Sequence, residues 1–341
     1  MKLAPQLLLA AASAIASPAF ADIYKCPQPD GHLWLQDHPC PGTKFERAAA
    51  SAPTAGPVSA FAAARKGFAT RVTLPVGHEG APPTAPADVF RTVTYPSPVG
   101  ALPAYLTPDP HDGARHPAIV WITGGDFTSI GDVWSPAPRS NDQSAAAFRR
   151  AGIVTMFPSL RGGNANPGRR EAFYGEADDI LAAADFLARQ PYVDPTRIYL
   201  GGHSTGGTMV LLTGELSARF RAVFAFGPVG SVDRYGNAFV PVDFSKLDPN
   251  ELKLRAPEAW LPAIGSRVFV LEGEAQGNIA ELRGMQARNH NPLVTFVPVP
   301  GATHFSILAP ATDVIAAKIV RDTGPQTTIS LAADEIAAAM R

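Results

Sequence analysis

A serine, two histidines and a few acidic residues in the second half of this chain are of the types that can transfer acyl groups. Ser204 stands in Gly202-His203-Ser204-Thr205-Gly206. A G-x-S-x-G pattern describes a nucleophile elbow: a strand ends, the backbone turns sharply and a helix begins, leaving the hydroxyl exposed at the apex. The small residues at its ends meet a steric demand, because strand and helix pass close together around the turn. The pattern alone arises by chance in roughly one chain in ten of this length, so context decides its meaning. A serine hydroxyl is a poor nucleophile near neutral pH and needs a base within hydrogen-bond reach, oriented in turn by an acid. On such an elbow the chain order is serine, acid, histidine.

Of the eight histidines, two follow Ser204. His290, in Arg288-Asn289-His290-Asn291-Pro292, reads as part of an exposed connecting loop. His304, in Pro300-Gly301-Ala302-Thr303-His304-Phe305, lies just past the final strand and is the expected base. The acid is expected just after the strand Arg267 to Leu271, in Glu272-Gly273-Glu274-Ala275-Gln276-Gly277-Asn278. An aspartate usually stands three residues past the glycine, where this chain has Gln276, and a glutamine cannot balance an imidazolium. Glu272 at the strand's end is the first candidate, then Glu274, then Asp233 after the preceding strand. The alternative for each is a solvated loop charge.

The segments around these residues alternate between strand and helix. Val89 to Tyr95 and Leu102 to Leu106 form a hairpin pattern at a sheet edge. Ala118-Ile119-Val120-Trp121-Ile122, Ile153 to Phe157, Arg197 to Gly201, Ala222 to Phe226, Arg267 to Leu271 and Leu293 to Val297 are short apolar runs of the kind buried in a parallel sheet. Between them, Ser144 to Ala151, Glu176 to Gln190 and Gly207 to Leu212 read as helices, and Leu331 to Met340 as a closing helix. Glu176, Asp178 and Asp179 fall in a first helical turn, where the dipole favours them, so their default role is structural. The strand before Ser204 and the helix after it supply the context that the pentapeptide needs. At Thr123-Gly124-Gly125-Asp126 a buried strand stops at two glycines. Their backbone N–H groups could face a cavity as an oxyanion hole requires, or the residues could form a plain turn. The Asp-, Pro- and Asn-rich stretch from Val229 to about Ala263 is expected to sit over the site as a lid or cap.

The chain has 341 residues, an apolar fraction of 46% and a net charge of −1, enough to bury a full core. No basic stripe or like-charge run marks a nucleic-acid partner, and no later segment is long and apolar enough to cross a bilayer. Residues 1–21 have the charged start, short apolar middle and Ser17-Pro18-Ala19-Phe20-Ala21 ending of a signal peptide, with cleavage expected after Ala21 into the periplasm or the medium. In that oxidising setting Cys26 and Cys40 are expected to form a disulfide within residues 22–45; a free thiol pair, or a metal site with His32 and His38, are the alternatives. Residues 46–66, dominated by Ala, Ser and Pro, read as a linker, and 67–341 as the main domain. Asp30-Gly31 suits a hairpin turn between two short strands. The stretch Ile23-Tyr24-Lys25-Cys26, Asp30-Gly31 and Pro39-Cys40-Pro41-Gly42 resembles a small disulfide-closed domain of unknown function at the front of many proteobacterial exported proteins.

With these residues placed, the chain resembles an α/β-hydrolase and is similar to the catalytic domain of the prolyl oligopeptidase family. The resemblance rests on Gly202 to Gly207, Ser159-Leu160-Arg161-Gly162-Gly163, the Asp178-Asp179 helix with Val193-Asp194-Pro195, and Gly301 to Phe305. It covers roughly residues 88 to 320. It implies a mostly parallel sheet with helices on both faces, Ser204 as nucleophile, His304 as base, and the Thr205 N–H as one oxyanion donor, with Gly125 or Asp126 giving the second. It implies no metal and no cofactor. Two departures matter: Gln276 stands at the usual acid position, and the propeller that gates the family's peptidases has no counterpart. A small ester is then as plausible a substrate as a short peptide. A competing expectation is an inactive α/β-hydrolase-fold scaffold, tethered to an envelope partner through its N-terminal module.

Overall fold

The computed structural model describes residues 24–27, 33–36, 59–74, 80–236 and 240–341. The chain divides into two units, Met1–Thr54 and Ala55–Arg341. In the first, β1 (Tyr24–Pro27) pairs antiparallel with β2 (Leu33–Gln36), Cys26 opposite Trp34. The signal segment, the Asp30-Gly31 turn and Cys40, and with it the expected disulfide, lie outside the described residues.

The second unit begins earlier than the expected boundary at residue 67. Within the expected linker, α1 (Ala60–Arg65) forms. Alanine-rich sequence suits a helix as well as a linker, and three anchors decide between them. The Ser59 hydroxyl caps the helix by accepting from the Ala62 N–H at 2.9 Å. Phe61 is buried with its ring 5.0 Å from that of Trp260, and Arg65 pairs with Asp178 at 2.9 Å.

The chain then runs through β3 (Arg91–Ser97), β4 (Gly100–Leu106), β5 (His116–Ile122), α2 (Ala146–Arg150), β6 (Val154–Pro158), α3 (Glu176–Ala188), β7 (Val193–His203), α4 (Thr205–Leu216) and β8 (Ala222–Phe226). It continues as α5 (Pro249–Lys253), β9 (Arg267–Gly273), α6 (Ile279–Arg288), β10 (Val294–Val299), α7 (Leu308–Arg321) and α8 (Ala333–Ala338). Strands β3 to β10 make one sheet in the order β10-β9-β8-β7-β5-β6-β4-β3. From β10 to β6 all neighbours are parallel, and the β3–β4 hairpin joins antiparallel through β4 and β6.

Period-two alternation sorts the strands' side chains into two cores. Val120, Leu200, Val223 and Val270 face α3 and α4, while Trp121, Tyr199, Phe224 and Phe269 face α2 and α7. Helix α7 has no counterpart among the helices expected from the sequence: Pro310 near its start argues against a helix, yet proline is tolerated in a first turn, where its missing N–H has no partner to lose. The described residues of the stretch from Val229 to Ala263 are tied into the body. Val232, Phe244, Leu254 and Leu261 join the core on the α3–α4 side. Arg255, fully buried, pairs with Glu251 at 2.6 Å and donates to the Ala172 carbonyl at 2.8 Å.

After β5 the chain moves to one side to build β6, then returns to build β7 on the other. The sheet therefore has its topological switch point between β5 and β7. In open α/β sheets the crevice beyond the carboxyl ends of the strands at such a point is where ligands bind. Thr123 to Asp126 and Ser204 follow those two strands.

Candidate active site

Ser204 sits between β7 and α4 with φ 56° and ψ −116°, a conformation that a non-glycine residue adopts only under constraint. The constraint is local. The Ser204 N–H donates to the Phe226 carbonyl at 2.7 Å, and its own carbonyl accepts from the Thr208 N–H at 2.9 Å. Gly206 lies where the new helix passes the end of β5, and a Cβ there would collide with the Ile122 and Thr123 carbonyls. The sharp turn needs this glycine, and the serine stays half-buried at its apex.

Three more segments converge on the same sheet end. Glu272, fully buried near the end of β9, accepts from the Gly273 N–H at 2.7 Å and the Asn278 N–H at 3.0 Å. Its Oε2 lies 2.8 Å from His304 Nδ1. The His304 side chain keeps 12% exposure, so one edge of the ring remains accessible. Gly227, after β8 with φ 56°, lies under this pair, and a side chain there would strike the imidazole and the carboxylate together. Asn278 Nδ2 donates to the Gly227 carbonyl at 2.8 Å and so ties the two loops.

The other acid candidates are engaged elsewhere. Glu274 pairs with Arg283 at 2.9 Å, and Asp233 is exposed in a short 3-10 turn. His290 is exposed in its loop. Gln276 has an exposed side chain, but its backbone is used: its carbonyl accepts from the His304 N–H at 2.9 Å, and Gln276 bridges to Thr303. The residue at the usual acid position therefore braces the histidine loop, and the carboxylate comes from four residues earlier.

On the other side of Ser204, the Thr205 hydroxyl donates to the Gly125 carbonyl at 2.9 Å, fixing the glycine loop against the elbow. Thr205 opens α4, so its N–H is one of the free donors of a helix start. A Cβ on Gly124 would come within 3.3 Å of Ser204 Cβ, and Gly125 has φ 75°. The Asp126 side chain turns to its own loop, accepting from the Thr128 N–H at 3.0 Å and pairing with Arg170 at 2.9 Å. Burial alone would push its carboxyl up, but the bonds from Thr128 and Ser129 and the Arg170 charge hold it below the usual range.

Sequence reasoning gave two neighbours of the site no role. His203, inside the pentapeptide, is 1% exposed, and its ring lies 4.5 Å from that of His304. Gln143 Nε2 lies 3.0 Å from His203 Nδ1. Burial, with the charge of His304 adding to it, pushes His203 down to about 3. The signal for His203 was its position next to Ser204; nothing in the sequence singled out Gln143. Of the acidic residues at the start of α3, Asp179 is buried against Arg161 at 2.9 Å and Asp178 pairs with Arg65 at 2.9 Å. Among the described residues no group of three or more His, Cys, Asp or Glu is arranged to hold a metal ion.

The prolyl oligopeptidase family model matches residues 139–255, which include Ser204 but neither Glu272 nor His304. The chain is 28% identical over 153 residues to the dual function macrocyclase-peptidase POPB of Galerina marginata, covering 39% of this chain and 20% of that protein. It thus spans about a fifth of that relative's length. To the uncharacterized peptidase YtmA of Bacillus subtilis it is 23% identical over 185 residues, 51% of this chain and 69% of that one. Among solved structures, a puromycin-hydrolyzing peptidase of Mycobacterium tuberculosis aligns with a TM-score of 0.57 at 17% identity, covering 72% of this chain and 42% of that one. An esterase of Pyrococcus furiosus aligns with a TM-score of 0.52 at 15% identity, covering 72% and 97%. The chain has the α/β-hydrolase fold, and through residues 139–255 it is similar to the prolyl oligopeptidase family.

Proposed function

We propose that this protein is an exported serine hydrolase that cleaves small esters or short peptides through an acyl-enzyme. The observation that carries the reading is the 2.8 Å contact between the buried Glu272 carboxylate and His304 Nδ1, beside a serine held in a strained elbow. A carboxylate on Nδ1 fixes the tautomer with the hydrogen on that nitrogen and leaves Nε2 free to accept a proton. Ser204 Oγ attacks the carbonyl carbon while His304 Nε2 takes its hydrogen, and the developing oxyanion is held by the Thr205 N–H with a second N–H from Gly125 or Asp126. The imidazolium then protonates the leaving alcohol or amine. Water repeats the sequence on the acyl-serine, releasing the acid and restoring the serine.

Both peptidases and an esterase are among the relatives, which supports a substrate range spanning esters and amides. Export rests on the signal-like segment 1–21, and the same compartment favours a Cys26–Cys40 disulfide. A fluorophosphonate probe tests the reading on the mature protein. Ser204 is expected to be labelled, with labelling lost in Ser204→Ala and slowed in His304→Ala. A folded wild-type protein that resists the probe and leaves activated esters intact is an inactive scaffold, and the proposal fails.

A further inference from the structure

We propose that His203 is a positioning residue: with Gln143 behind it, it holds the backbone of the loop that carries His304 at a fixed distance from the serine. This rests on the acyl-transfer reading above. His203 Nε2 lies 2.9 Å from the His304 carbonyl oxygen. A carbonyl can only accept, so the hydrogen sits on Nε2, and Nδ1 is left as an acceptor. Gln143 Nε2 meets that acceptor at 3.0 Å and gives its other hydrogen to Asn141 Oδ1 at 2.9 Å. The chain of donors runs one way, from the loop before α2 through His203 to the base.

His304 is then held at three points. Its N–H donates to the Gln276 carbonyl, its ring nitrogen meets Glu272, and its carbonyl accepts from His203. The first two come from the β9 side of the site. The third comes from the residue next to the nucleophile, so the spacing between Ser204 and the His304 backbone is set across a single peptide. General-base catalysis is sensitive to that spacing, since a misplacement of about 1 Å can cost roughly 100-fold. The surroundings reserve the place for this ring: a Cβ on Gly124 would lie 2.8 Å from His203 Nδ1. Because His203 stays neutral, no second positive charge stands beside His304 when it becomes an imidazolium.

His203→Phe keeps a ring of similar size and removes both hydrogen bonds; His203→Gln retains an amide N–H able to reach the carbonyl. On an activated ester, kcat of His203→Phe is expected to fall about 10- to 100-fold with KM nearly unchanged. His203→Gln is expected to recover most of the loss. Gln143→Leu, farther from the base and readable even if the Phe variant unfolds, should show a smaller loss of the same kind, and adding it to His203→Phe should cost little more. Wild-type kcat in His203→Phe and in Gln143→Leu, or no recovery in His203→Gln, overturns the inference. A wild-type protein without labelling or turnover fails at the hydrolase reading and takes this inference with it; an active wild type matched by equally active variants sinks this inference alone.

Discussion

Glu272 and Glu215 are both fully buried, yet their surroundings differ completely. Glu272 faces three donors: two backbone N–H groups and the His304 ring. Neither carboxyl oxygen of Glu215, near the end of α4, has a partner among the described residues, and burial raises its pKa well above the usual carboxylate range. Depth of burial is therefore no guide to what a carboxyl does; its donors decide. A buried carboxylate ringed by N–H groups can balance a positive ring, whereas one without partners is held as the neutral acid. The former stands where four loops meet at the sheet's carboxyl end, the latter in a helix packed between core layers.

Removing the charge at the first position should have the largest effect. Glu272→Gln keeps the shape but offers His304 an amide, which can stabilise the wrong tautomer. An expected fall in kcat/KM of about 1,000- to 10,000-fold follows from the orienting role of a triad acid. Ester turnover measures it, and a variant within threefold of wild type would exclude Glu272 from the site. At the second position the same kind of change should act on stability. Glu215→Met replaces a partnerless carboxyl with an apolar side chain of similar length, and an unsatisfied buried polar group costs about 1–3 kcal/mol. The urea midpoint should rise and ester turnover should stay at the wild-type rate. An unchanged or lowered midpoint would mean that the carboxyl contributes something its surroundings do not reveal.

The sequence made some of this contrast legible. The pentapeptide, its flanking strand and helix, and the histidine past the last strand are local signals, because the elbow demands small residues at fixed spacing. The sheet strands were legible for the same reason: a run such as Ala222 to Phe226, apolar on both faces, has few other places to go, and its bounds match the strand. The acid was harder. Glu272, Glu274 and Asp233 differ in three-dimensional surroundings and hardly at all in local sequence, and only the pairing of β9 with β10 brings Glu272 against the histidine loop. Gln143 lies 60 residues before His203 on another loop, a separation that no local pattern spans. Helix α1 was hidden because its anchors, Trp260 and Asp178, come from distant parts of the chain.

Glu176 stands between the two extremes and gives the finest test. It is fully buried at the start of α3; Oε1 accepts from the Glu171 N–H at 2.6 Å and Oε2 has no partner among the described residues. Burial raises it from 4.5 to about 7, with the nearby Arg161 charge and the backbone bonds only partly offsetting that rise. A carboxyl whose folded pKa is raised binds its proton more tightly when folded. Its contribution to stability is therefore complete below about 4.5 and is lost as pH rises towards about 7. His203 works in the opposite sense. Its folded pKa of about 3 lies below the usual 6.5, so the contribution of its neutral form is complete above 6.5 and is lost as pH falls from there. Between pH 4.5 and 6.5 the two slopes oppose each other. Glu176→Gln cannot ionise, so its stability relative to wild type should climb as pH rises from about 4.5 to about 7 and level off beyond. Denaturant unfolding at a series of pH values measures that difference. A difference that stays flat with pH would show that the backbone N–H groups at Glu176 suffice to keep the group ionised, and the number of donors would no longer separate the three carboxyls.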